Sequence, residues 1–150
     1  MTKRTLSMIV LIISIMNAQS QIQVEKQEDH SDKRILARGC DPELSKSFAE
    51  YISPKLGNPT YIPTTSDDDF LYKIKNEKWD IIYFAPGACR YSAADMQIPG
   101  GISSTAGWSL DEYKDFIYQF QDEGVIIVET PYESKSIELL REALKKADIE

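Results

Sequence analysis

The chain is short of the residues that most catalytic machinery requires. It has one histidine and two cysteines in 150 residues. His30 falls in the stretch 21–33 (QIQVEKQEDHSDK), which is polar, lacks any apolar period and reads as a flexible linker. A Ser-His-Asp or Cys-His engine, or a histidine-ligated zinc site, therefore has no histidine inside the expected domain. Gly-x-x-x-x-Gly-Lys-Ser/Thr and Gly-x-Gly-x-x-Gly are both absent, which excludes a nucleotide P-loop and the dinucleotide-binding turn. The run Gly87-Ala88-Cys89-Arg90 is only loosely like a nucleophile turn, since neither Gly-x-Ser-x-Gly nor Cys-x5-Arg occurs. Asp67, Asp68 and Asp69 invite calcium, but three acids in one first turn more often complement a helix dipole. No cofactor and no metal are expected.

Positive charge is also scarce. Seventeen basic residues face twenty-four acidic ones, a formal charge of −7. Lys3 and Arg4 are the only charged residues of 1–20, so without that segment the charge is −9. Such a chain is repelled by phosphate backbones and anionic lipid, which argues against nucleic-acid binding. The longest apolar run, 6–16 (LSMIVLIISIM), is about eleven residues, where a spanning helix needs roughly twenty. It follows the basic pair and precedes small residues, with Ala18 and Ser20 fitting the small-x-small rule. Residues 1–20 thus read as a secretory signal cleaved before Gln21. The expected product is secreted or periplasmic, without membrane attachment once the signal is removed.

What remains, 34–150, repeats a β-rich run followed by an amphipathic helix. The expected strands are 35–39 (ILARG), 60–64 (TYIPT), 80–85 (DIIYFA) and 125–128 (VIIV). The third and fourth are continuous apolar runs, as befits strands covered on both faces. The helices between them carry explicit start signals. Asp41-Pro42 offers a capping carboxylate before a proline at the first helical position. Ser66 precedes three carboxylates, Ser109 and Glu112 form a capping box, and Thr130-Pro131-Tyr132-Glu133 is expected to cap the last helix. Strands alternating with helices imply right-handed crossovers and a mostly parallel sheet. Four strands in this length suit a small three-layer αβα sandwich with the flavodoxin-like order 2-1-3-4.

In such sheets ligands bind beyond the carboxyl ends of the strands, where the strand order reverses. That rule collects Cys40 and Asp41 after strand 1, Thr65 and Ser66 after strand 2, Arg90, Tyr91 and Ser92 after strand 3, and Glu129 and Thr130 after strand 4. The segment 86–108 is about 23 residues without a helical period, far beyond the usual two to six of a strand–helix loop. It is a candidate binding loop, with Arg90 as a cation and Tyr91 and Trp108 as aromatic faces. In an exported protein Cys40 and Cys89 are expected to pair, closing a loop of about 49 residues and contributing roughly 4 kcal/mol. The other possibility keeps one of them as a thiol nucleophile, its pKa lowered by the helix start after Cys40 or by Arg90 beside Cys89.

Two functions follow. The first is a binding domain that holds a small polar or anionic molecule, or a protein partner, through Arg90, Tyr91, Ser92, Thr65, Ser66 and Thr130. The second is a thiol- or phosphoryl-type enzyme, with Cys40 or Cys89 as nucleophile and Asp41 or Glu129 moving protons.

Overall fold

Residues 28–86 and 100–149 are described by the computed structural model. The expected signal, residues 21–27 of the linker, and Cys89, Arg90, Tyr91 and Ser92 lie outside them. Four strands, β1 (Arg34–Arg38), β2 (Thr60–Thr64), β3 (Ile81–Phe84) and β4 (Ile126–Glu129), form one sheet in the order β2-β1-β3-β4. Each pairing is parallel, with Ile35 opposite both Tyr61 and Ile81, and Ile82 opposite Ile127. The arrangement is the small α/β, flavodoxin-like one that the alternation of elements predicts.

Side chains on a strand alternate between faces, so each central strand must supply apolar residues to two cores. Leu36, Ile82 and Phe84 point to one face and pack under α2 (Asp67–Asn76) and α3 (Leu110–Phe120). Ile35, Ala37, Ile81 and Tyr83 point to the other, under α1 (Pro42–Ile52) and α4 (Ser136–Ala147). Right-handed crossovers require this division. The chain moves one way from β1 to β2 and the other way from β2 to β4, so the connecting helices fall on opposite faces.

The helix starts behave as their sequences imply. Asp41 accepts the Leu44 N–H at 2.9 Å with Pro42 at the first position, and Ser66 accepts the Asp69 N–H at 3.3 Å. Ser109 and Glu112 form the reciprocal box, the Glu112 carboxylate accepting the Ser109 N–H at 2.6 Å. The last helix departs from expectation. Thr130 Oγ1 accepts the Tyr132 N–H at 3.1 Å, but a short 3-10 turn (Glu133–Lys135) intervenes before α4 begins at Ser136.

The stretch read as a linker is partly structural. Residues 28–33 pack on the amino-terminal side of the sheet, and His30 is only 3 % exposed. Its N–H donates to Gly57 O at 2.8 Å, and the carbonyl of Lys33 accepts the Thr60 N–H at 2.9 Å. The His30 ring stands 3.2 Å from Asp148 just past α4, so this segment joins the two ends of the fold. Gly57 makes the seat possible. It adopts φ +80°, and a Cβ there would collide with the carbonyl of Glu28. The domain therefore holds its histidine after all, but at the strand-start edge, opposite the edge where the candidate residues lie.

Candidate functional site

The carboxyl edge of the sheet is built differently on its two faces. On the α2/α3 side, β1 ends in Arg38, a side chain with no solvent exposure. Its Nε donates to Asp67 Oδ1 at 3.0 Å, its Nη2 is also 3.0 Å from that oxygen, and Nη1 donates to Gly39 O. The second Asp67 oxygen accepts the Thr105 hydroxyl at 2.7 Å and the Tyr113 hydroxyl at 2.6 Å. Asp67 opens α2, where the helix dipole adds further support to its negative charge. A buried charge pair of this kind survives only when its remaining donors and acceptors are satisfied, and here neutral hydroxyls do that.

The described part of the long segment, 100–108, belongs to this cluster. Gly100 O accepts the Asp67 N–H at 2.7 Å, and Gly100 adopts φ +70°, where a Cβ would collide with Thr65 O. A 3-10 turn (Ser103–Thr105) sets Thr105 over Asp67. Trp108, expected as a ligand-facing ring, packs instead edge-on against Tyr113 at 5.1 Å between ring centres, and against Phe116 at 5.8 Å. This half of the segment is anchored in the fold. Sequence reasoning did not single out Arg38 or Tyr113, and it placed Thr105 in the hydroxyl-rich centre of a binding loop, whereas its hydroxyl is turned inward to Asp67.

On the α1/α4 side the same edge is open. A cavity of about 480 Å³ lies between α1 and the ends of β1 and β3. Gly39 and Cys40 enter its wall from β1, Tyr61 and Pro63 from β2, and Tyr83, Ala85 and Pro86 from β3. The facing wall comes from α1 through Leu44, Ser45, Ser47, Phe48 and Tyr51, and Asp41 and Glu133 also line the space. Phe48 is stacked on Tyr83 at 6.4 Å and meets Tyr61 edge-on at 6.2 Å, so three rings form one surface. The Tyr83 hydroxyl donates to Ser136 Oγ at 2.7 Å, which fixes the ring from the α4 side. Burial raises the Tyr61 phenol pKa well above its ordinary value, and the neighbouring Tyr83 adds to the effect.

Of the sequence-selected residues, the structure brings Cys40 and Asp41 together on this wall. Others at the strand ends are engaged locally. Ser66 caps α2, Thr130 holds the turn at Tyr132, and Glu129 pairs with Lys114 at 2.8 Å, which raises the lysine's pKa. Thr65 is half-buried behind Gly100. Asp41 and Glu129, named as proton carriers for a thiol chemistry, thus hold a helix start and a lysine respectively. No disulfide occurs among the described residues, and the expected partner of Cys40, Cys89, lies outside them. Among the described residues there is no cluster of His, Cys, Asp and Glu that could hold a metal ion, and no helix long and apolar enough to cross a membrane. Comparison with protein families, curated proteins and solved structures finds no match to this chain.

Proposed function

We propose that the chain is an exported binding domain that holds a small molecule in the cavity at the carboxyl ends of β1 and β3. The observation that carries the reading is the cavity's place. Strand order reverses between β1 and β3, and residues following both strands line the space. A volume of about 480 Å³, with mostly apolar and aromatic walls and a few polar groups among them, is of the kind that takes small ligands. Export rests on the basic, apolar and small-residue order of 1–20.

The test is a fragment screen by amide chemical-shift mapping on the full chain. Binders are expected to move the amides of Gly39, Cys40 and Ala85 together. Ser47→Trp, which places a large side chain on the cavity wall from an exposed helix position, is expected to abolish those shifts. Binders whose shifts lie elsewhere and survive Ser47→Trp would overturn the reading.

A thiol enzyme is the second reading, favoured by the presence of Cys40 on the cavity wall. An activated thiolate there would react with iodoacetamide at pH 6 far faster than cysteine in an unstructured peptide. The binding reading expects the peptide rate or slower.

A further inference from the structure

The charge distribution around the cavity narrows the class of ligand. Among the described residues that line it, the two that carry charge, Asp41 and Glu133, are acidic, and none is lysine, arginine or histidine. A helix start on a cavity wall ordinarily attracts anions through its free N–H groups. Here α1 has little to offer one. Pro42 has no N–H, the Leu44 N–H is held by the Asp41 carboxylate at 2.9 Å, and the Ser45 N–H by the Asp41 carbonyl at 2.9 Å, which leaves the Glu43 N–H as the one first-turn donor without a partner among the described contacts. The positive end of the helix is therefore covered by a negative side chain that itself faces the cavity.

The rings point the same way. Phe48 and Tyr61, partly exposed and backed by the buried Tyr83 ring, form a wall suited to a flat apolar body, and aromatic faces attract cations through their quadrupole. The exposed Tyr51 ring is already taken, since Lys55 Nζ lies 4.5 Å above its centre, so a ligand cation is left to Phe48 and Tyr61. We propose that the cavity binds a flat ring system carrying a protonated amine, the ring lying against the partly exposed Phe48 and Tyr61 and the ammonium directed toward Asp41 and Glu133. This rests on the cavity being the ligand site and goes further by naming what fills it.

Three probes of one shape separate the two claims: 2-naphthylmethylammonium, 2-naphthylmethanol and 2-naphthoate, titrated into the full chain at low salt and followed through the Gly39, Cys40 and Ala85 amides. The ammonium is expected to bind about tenfold more tightly than the alcohol, the product of a partly exposed cation–π contact and a partly screened charge pair. Naphthoate should bind most weakly. Glu133→Gln is expected to remove about threefold of the ammonium's advantage and leave the alcohol unchanged. Asp41→Asn should do the same while keeping the fold, because asparagine caps a helix as well as aspartate. Equal binding of ammonium and naphthoate at these amides would overturn the ligand class while leaving the cavity as a site. Failure of all three probes to move these amides at millimolar concentration would overturn both.

Discussion

One edge of one sheet carries two polar constructions. On the α2/α3 side, Arg38, Asp67, Thr105 and Tyr113 are each at most 3 % exposed, and Asp67 binds the other three. On the α1/α4 side, Asp41 and Glu133 are exposed and line a largely aromatic and apolar cavity. The first cluster has charge without access and the second has access with charge at its margin. A buried charge must be satisfied by the fold itself, so Arg38 and Asp67 are committed to holding β1, α2, α3 and residues 100–108 together. Carboxylates at an open margin keep their hydration and can exchange it for a ligand. The contrast makes the closed face a source of stability and the open face the place of the proposed binding.

The largest effect should come from breaking the closed cluster. Asp67→Ala leaves the Arg38 guanidinium buried without its carboxylate and takes one acceptor from the Thr105 and Tyr113 hydroxyls, for an expected loss of about 3–5 kcal/mol. Urea unfolding measures it. Replacing both charges, Arg38→Met with Asp67→Leu, should cost less than Asp67→Ala alone, because no uncompensated charge remains. A loss under about 1 kcal/mol for Asp67→Ala would show that water reaches the pair and would dissolve the contrast between the faces.

A smaller effect is expected where the open face touches the core. Tyr83→Phe removes the hydroxyl that donates to Ser136 Oγ, and both residues have no solvent exposure. A stability loss of about 1–2 kcal/mol should result, and Tyr83→Phe combined with Ser136→Ala should recover part of it, since the second change removes the stranded serine. The cavity wall itself keeps its ring, so affinity for the naphthyl probes should change little. A large drop in probe affinity with unchanged stability would place the Tyr83 hydroxyl in recognition rather than in support.

The closed cluster was the harder of the two to read from sequence. Strand and helix starts are local signals: the apolar runs at β3 and β4, Asp41-Pro42, Ser66 and the Ser109–Glu112 box each specify their element within a few residues, and together they imply the sheet order. Arg38 gives no such signal. It ends a strand buried on both faces, and its partner Asp67 lies 29 positions away among three adjacent aspartates of which only it is fully buried. Nothing in the spacing distinguishes Asp67 from Asp68. His30 is similar, since a polar stretch without period looks like linker whether or not Gly57 turns to receive it. The strand-end rule did locate the edge of the cavity through Cys40 and Asp41. It could not tell which hydroxyls there are engaged by helix starts, as Ser66 is, or that Trp108 would turn inward.

The smallest expected effect sharpens the account of the open face through Tyr61. Burial raises this phenol's pKa, so the folded state keeps the proton after the unfolded chain has released it. The sign follows from that difference. Below the ordinary tyrosine value near 10 both states are protonated, and the contribution of Tyr61 to stability is fully present. As pH rises above that value the unfolded chain binds fewer protons than the folded one, so stability falls, and it continues to fall until the folded-state phenol ionises. A single group contributes at most about 1.4 kcal/mol per pH unit to this slope. Tyr61→Phe removes the contribution, so its stability should decline less steeply than wild type between pH 10 and 11. Chemical denaturation at several alkaline pH values gives both slopes. Parallel curves would mean that the Tyr61 hydroxyl is as well hydrated as in the unfolded chain, and that the aromatic wall around it is wetter than its ring contacts with Phe48 imply.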